Sequence, residues 1–183
     1  MPMLRQLAKE IEPEPFLSQL PHKYHEENQL HAILINRIKD FDECLIRVEL
    51  FLNYVNNWAT CDTLRPRCFA KHLDKLQIHV ERWMLESHEY AVRLGIGLLE
   101  SFYMDKAFQS EHLEWVAKID RTEYYIRMMQ AWYFATALAK QWDTALPVVE
   151  KLSQWVRHKA IQKACESFRV SEEHKAILRT MKH

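Results

Sequence analysis

The stretch Asn56-Asn57-Trp58-Ala59-Thr60-Cys61-Asp62 holds the residues of this chain best suited to chemistry. Trp58 and Asp62 stand four positions apart, a spacing that sets them one above the other on one helix face. An indole ring offers a negative π face and a carboxylate offers a full charge. Together they suit a positively charged target, held by cation–π and Coulomb attraction. The plainer reading makes Trp58 a core residue and Asp62 a solvated or helix-capping acid, a common use of Asp at a helix start. Other reactive groups form no comparable set. Cys61, Cys68 and His72 could face one way, but their spacing matches no common zinc pattern, so no metal and no cofactor is expected. Gly95 and Gly97 fall in a helical stretch rather than in a phosphate-binding loop. None of the ten histidines pairs with a cysteine in a catalytic arrangement.

The elements that position these residues are helices. With 2 Gly among 183 residues and no alternating β-branched runs, the chain has little material for hairpins, whereas Ala, Leu, Glu, Lys, Gln, Met and Arg abound. The expectation is an all-α protein with one domain spanning residues 1–183. Residues 1–20 carry charges throughout and lack the apolar core of a signal peptide. No run approaches the length of a membrane span. A soluble, cytoplasmic protein with no membrane partner is expected, its four cysteines reduced.

The apolar periodicity predicts helices over 1–11, 24–39 and 42–55, with Asp40 and Asp42 opening the third. Pro13, Pro15 and Pro21 divide the first two by short turns. A turn near Trp58 precedes a helix that has Pro66 just inside its start and runs to about Leu85. Further helices are expected over 88–104 with Ser87 as N-cap, 110–119, 122–140, 143–156, 158–168 and 171–181, the last opened by Ser171. Glu89-Tyr90-Ala91-Val92-Arg93 is echoed 34 residues later by Glu123-Tyr124-Tyr125-Ile126-Arg127, and more weakly by Lys159-Ala160-Ile161-Gln162-Lys163. A helical-pair period of this length marks an α-solenoid of antiparallel pairs, whose inner helices would carry Arg93 and Trp132. Trp83, Trp115, Trp142 and Trp155 are expected in the core, and Arg127 is assigned a structural place.

The net charge is zero, which is not the footprint of a protein that coats nucleic acid. Its distribution is uneven: residues 151–183 hold 8 Lys/Arg against 3 Asp/Glu, so that third is +5 and residues 1–150 sum to −5. A basic C-terminal third, with Lys159 and Lys163, suits phosphates or is simply a solvated helix face.

Four motifs in order now carry a resemblance: Asn56 to Asp62, then Ser87-x-x-Tyr90-x-x-Arg93, then Tyr124-Tyr125 with Ala131-Trp132, then His158 to Lys163 with Glu166-Ser167. They resemble the HEAT-like-repeat DNA alkylation repair proteins of the AlkD type, most closely the small Firmicutes-type members, over nearly the whole chain. The resemblance implies an α-solenoid clamp on duplex DNA that hydrolyses the N-glycosidic bond of cationic N3- or N7-alkylated purines. It implies catalytic places for Trp58, Asp62, Arg93 and Trp132, with alkylated duplex DNA as the partner. Two departures stand out. Family members carry further helices before the segment resembling Pro2-Met3-Leu4-Arg5, so either a truncated gene or a divergent short form is expected, with the clamp open on one side. His158 replaces the usual Asn at an expected helix start. The alternative function is a non-catalytic helical-repeat protein that binds DNA structures or a protein partner on its concave face. Arg93 could equally pair with Glu89, and Trp132, in an apolar helix, could be core.

Overall fold

The structure, a computed structural model, describes residues 2–181. They form twelve α-helices and one 3-10 helix, with no strand among the described residues. The chain folds as two compact units, Met1–His79 and Val80–His183.

The first unit contains α1 (Pro2–Glu10), α2 (Pro13–Leu17), α3 (His25–Ile35), α4 (Phe41–Leu52), α5 (Trp58–Thr63) and the 3-10 helix Arg67–Lys71. Next comes α6 (Leu73–Met84), along which the chain passes into the second unit. Helices α1 and α5 both lie against α3, and α2 and α4 also pack on it. Leu34 and Ile35 of α3, Val48 and Phe51 of α4, and Phe69 are fully buried. The local starts follow side-chain caps: Asp40 accepts from the Glu43 amide at 2.8 Å and Asn57 from the Thr60 amide at 2.9 Å.

The second unit continues with α7 (Glu89–Phe102), α8 (Ser110–Ala117), α9 (Tyr124–Lys140), α10 (Trp142–Val149), α11 (Gln154–Glu166) and α12 (Glu172–Thr180). Here α9 is central, flanked by α7 and α11, while α8 and α10 pack against α9 and against each other. Alternate helices thus form two rows, the arrangement expected of stacked helical pairs. Helix α7 is buried over nearly its whole length because another helix comes close: a Cβ at Gly95 would lie 2.7 Å from Met84 Cγ and 3.0 Å from the Val80 carbonyl.

Several expected boundaries move. Pro66 is extended at ψ 131° and precedes the 3-10 helix rather than sitting inside a long helix, so α6 starts only at Leu73. The proline ring disfavours helical backbone at Arg65 before it, and the chain leaves α5 extended. His88 caps α7, accepting from the Ala91 amide at 3.2 Å, while the carbonyl of Ser87 is taken by Arg121. Helix α10 ends at Val149, just after Pro147, and α11 runs through His158, which is therefore mid-helix and not at a start. Of the four tryptophans expected in the core only Trp83 is there. Trp115, Trp142 and Trp155 are half-buried, with Trp142 stacked on His174 at 3.6 Å. Each lies on a helix that has one open side, which no single-helix periodicity reveals.

Candidate functional site

Helix α5 is short, and its placement comes from its surroundings. Cys61 and Leu64 are buried beneath it, and Asn57 caps its start. Trp58 opens the helix and is 51% exposed, so it is not a core residue. Asp62 lies in the last turn, half-buried, and the cap is Asn57, so Asp62 is not a capping acid either. The chain leaving α5 is held from α3: Asn36 donates from Nδ2 to the Thr63 carbonyl at 2.6 Å and accepts at Oδ1 from the Arg65 amide at 2.8 Å. Arg65 donates from Nη1 to the Leu64 carbonyl at 2.6 Å and to the Cys61 carbonyl at 3.4 Å. A helix C-terminus is the negative end of the peptide dipole, a poor place for a carboxylate. The Arg65 guanidinium on those last carbonyls offsets that charge beside Asp62.

Asp62 lines a cleft of about 920 Å³ that lies wholly within the first unit. Arg5 and Lys9 of α1 line it, with Arg37 and Lys39 after α3, and Arg65, Arg67 and Lys71 beyond α5. Among the described residues that line it, Asp62 is the one carboxylate. So many like charges around one groove repel each other unless an anion enters, and the field favours a polyanion. Cys68 reaches the wall, but burial raises its pKa, as it does that of Cys44, whose Sγ donates to the Ile35 carbonyl at 3.7 Å. Both stay thiols at neutral pH and supply no nucleophile.

Sequence reasoning missed this cleft. Residues 1–150 carry net negative charge, and the cations come from separate segments that only folding gathers. The available signal was two short basic clusters, Arg37-Ile38-Lys39 and Arg65-Pro66-Arg67, each directly after a helix end.

In the second unit Trp132 projects from α9, also 51% exposed, between the buried Ala131 and Tyr133. Core packing is therefore not its place. Lys163 of α11 stands 6.0 Å over the Trp132 ring and pairs with Glu166 at 2.9 Å. Arg93 is 6% exposed, and its Nη1 donates to the Tyr125 carbonyl of the neighbouring repeat at 2.6 Å. Lys159 donates to Gln162 Oε1 at 3.2 Å. The structure thus brings Trp58 and Asp62 together on one helix and Trp132 and Lys163 together across two.

Among the described residues no group of three or more His, Cys, Asp or Glu side chains is placed to hold a metal ion. No helix there is long and apolar enough to cross a membrane. Comparison with curated proteins and with solved structures gives no match. The family model of the DNA alkylation repair enzyme matches residues 1–132, a segment that contains Trp58, Asp62 and Arg93 and ends on Trp132. Lys159 and Lys163 lie beyond it. With most of its length matched, the chain belongs to the DNA alkylation repair enzyme family.

Proposed function

We propose that the protein hydrolyses the N-glycosidic bond of cationic N3- or N7-alkylated purines in duplex DNA. Its family supports a role in DNA repair with DNA as the partner. The observation that carries the reading is a single carboxylate, Asp62, in a cleft otherwise rich in cations, with the exposed ring of Trp58 on the same short helix.

Alkylation at N3 or N7 leaves the purine positively charged. As the bond from C1′ to the purine nitrogen breaks, its electron pair moves to the base, which departs neutral. No general acid is needed to protonate it. Positive charge then develops at C1′, as in the oxocarbenium-like transition state of glycoside hydrolysis. Ionised Asp62 stabilises that charge electrostatically and orients a water whose oxygen bonds to C1′ while its proton passes to the carboxylate or to solvent. An ordinary glycosidase needs two carboxylates; a substrate that brings its own charge needs one. The cleft cations hold backbone phosphates, and Trp58 presents its π face to the cationic nucleotide. In the second unit Trp132 is assigned the same kind of ring contact, and Lys159 and Lys163 phosphate contacts. Arg93 is assigned a flanking phosphate, to be reached by the small part of its guanidinium left open beside the bond to the Tyr125 carbonyl.

The same cations would grip DNA without any chemistry at Asp62, which is the observation behind the second reading, a non-catalytic DNA binder. Release of free methylated purines from methylated duplex DNA separates the two. Release by the native chain should fall at least tenfold in Asp62→Asn, about 1.4 kcal/mol of transition-state stabilisation. Equal release from both proteins refutes the role of Asp62. Salt-sensitive duplex binding with no release leaves the second reading.

A further inference from the structure

The repeated Tyr-containing motifs do more than punctuate the helices. Tyr90 of α7 contacts Tyr125 of α9 at 6.2 Å between ring centroids, Tyr125 contacts Tyr124 at 5.4 Å, and Tyr124 contacts Trp155 of α11 at 6.0 Å. This is a continuous row of rings across three helices of the second unit. Tyr90 is buried, Tyr125 half-buried, and Tyr124 is 57% exposed, so the row surfaces at Tyr124. Arg127 lies 4.2 Å over the Trp155 ring. Beside Trp155 is a cavity of about 330 Å³ lined by Gln154, Trp155, Arg157, His158, Lys159 and Met181. That size lies at the lower end of the range for small-ligand sites, roughly 300–1,000 Å³.

Among the described residues no carboxylate side chain lines the cavity, so its cations lack a paired carboxylate among the described lining residues. Arg157 donates to the Glu150 main-chain carbonyl at 3.2 Å and Lys159 to the Gln162 side-chain oxygen at 3.2 Å, both neutral acceptors. Glu166 is paired with Lys163 and acts on Lys159 more weakly, at Coulombic range. The cavity calls for an anion, and the open tyrosine beside Trp155 calls for a flat π system. Bases in a duplex keep their faces stacked on one another; unpaired bases offer them to aromatic side chains.

We propose that this surface of the second unit also takes an unpaired nucleotide of single-stranded DNA, its base against Tyr124 and Trp155 and its phosphate on Arg157, with Lys159 shared with the duplex phosphate contact. The site stands apart from the chemistry assigned to Asp62, and its residues from Gln154 onward lie beyond the family-matched segment.

The test is fluorescence anisotropy with a labelled oligo-dT and the full chain, competed by thymidine monophosphate, inorganic phosphate and undamaged duplex DNA. Oligo-dT should bind the native chain, Tyr124→Ala should weaken it about fivefold or more, and Tyr124→Phe should restore it within twofold. Tyr124→Ala should leave duplex binding and methylpurine release unchanged. The proposal fails if oligo-dT does not bind, if Tyr124→Ala binds it as well as the native chain, or if phosphate competes as well as the mononucleotide. Asp62→Asn should bind oligo-dT normally, so failure of the glycosylase reading is seen separately.

Discussion

Replacing Asn36 by Ala tests how α5, the helix that carries Trp58 and Asp62, is held. Asn36 is half-buried at the end of α3 and ties two backbone groups that flank Leu64, the Thr63 carbonyl at 2.6 Å and the Arg65 amide at 2.8 Å. Each such hydrogen bond contributes about 1 kcal/mol net, and a backbone group left without a partner in a shielded place costs about 1–3 kcal/mol. Partial exposure admits water to some of the vacated space, so the expected loss is about 2–3 kcal/mol. Asn53→Ala is the control: that side chain is exposed and serves only carbonyls of its own helix, Glu49 and Leu50, so its loss should stay within about 0.5 kcal/mol. Urea unfolding followed by helical circular dichroism measures both, with the slope against denaturant expected to be unchanged. At temperatures where Asn36→Ala remains folded, its single-turnover release of methylpurine should also fall, because Asp62 immediately precedes the released segment. A stability loss for Asn36→Ala no greater than that for Asn53→Ala would refute this account of how α5 is anchored.

His31 is buried, stacked on Phe51 at 4.1 Å and hydrogen-bonded to His22 at 2.8 Å. Burial, then His22 and Arg47, push its pKa down to about 3. The unfolded chain binds this proton near pH 6.5 and the folded chain does not, so stability is present above that pH and is lost as pH falls; between pH 7 and 5 the loss from His31 is about 2 kcal/mol. Thermal melts should show that slope, flattened in His31→Phe. Gly95→Ala gains helix propensity, about 1 kcal/mol, but drives a Cβ to 2.7 Å from Met84 Cγ and 3.0 Å from the Val80 carbonyl. Overpacking at about 1–3 kcal/mol outweighs the gain, so the melting temperature should fall. Arg67→Ala and Lys71→Ala each remove one exposed cleft cation and should each lower the salt slope of duplex binding by about 1, read from titrations at several salt concentrations.

Residues close in sequence carried their message without the fold. The spacing of Trp58 and Asp62 is realised on α5, Asp40 and Ser171 open α4 and α12 as expected, and composition alone pointed to helices. These are local matters: a cap reaches three residues and a helix face repeats every few. The internal repeat was legible for the same reason, since like sequences form like helix pairs.

Exposure and charge gathering were not local. Trp132 sits among apolar neighbours yet stands half in solvent, because α7 and α11 cover other sides of α9. Arg93, expected on an inner helix or paired with Glu89, is buried against a carbonyl 32 residues away. The basic third at the C-terminus drew attention, while the larger cation cluster formed in a unit of opposite net charge trend, from α1, the end of α3 and the segment after α5. Sequence by itself determined the helices, their caps and the Trp58–Asp62 pair, since those depend on neighbours along the chain. Tertiary structure alone decided that Asp62 stands in a cationic cleft and which tryptophans meet solvent, because field and burial are set by neighbours in space.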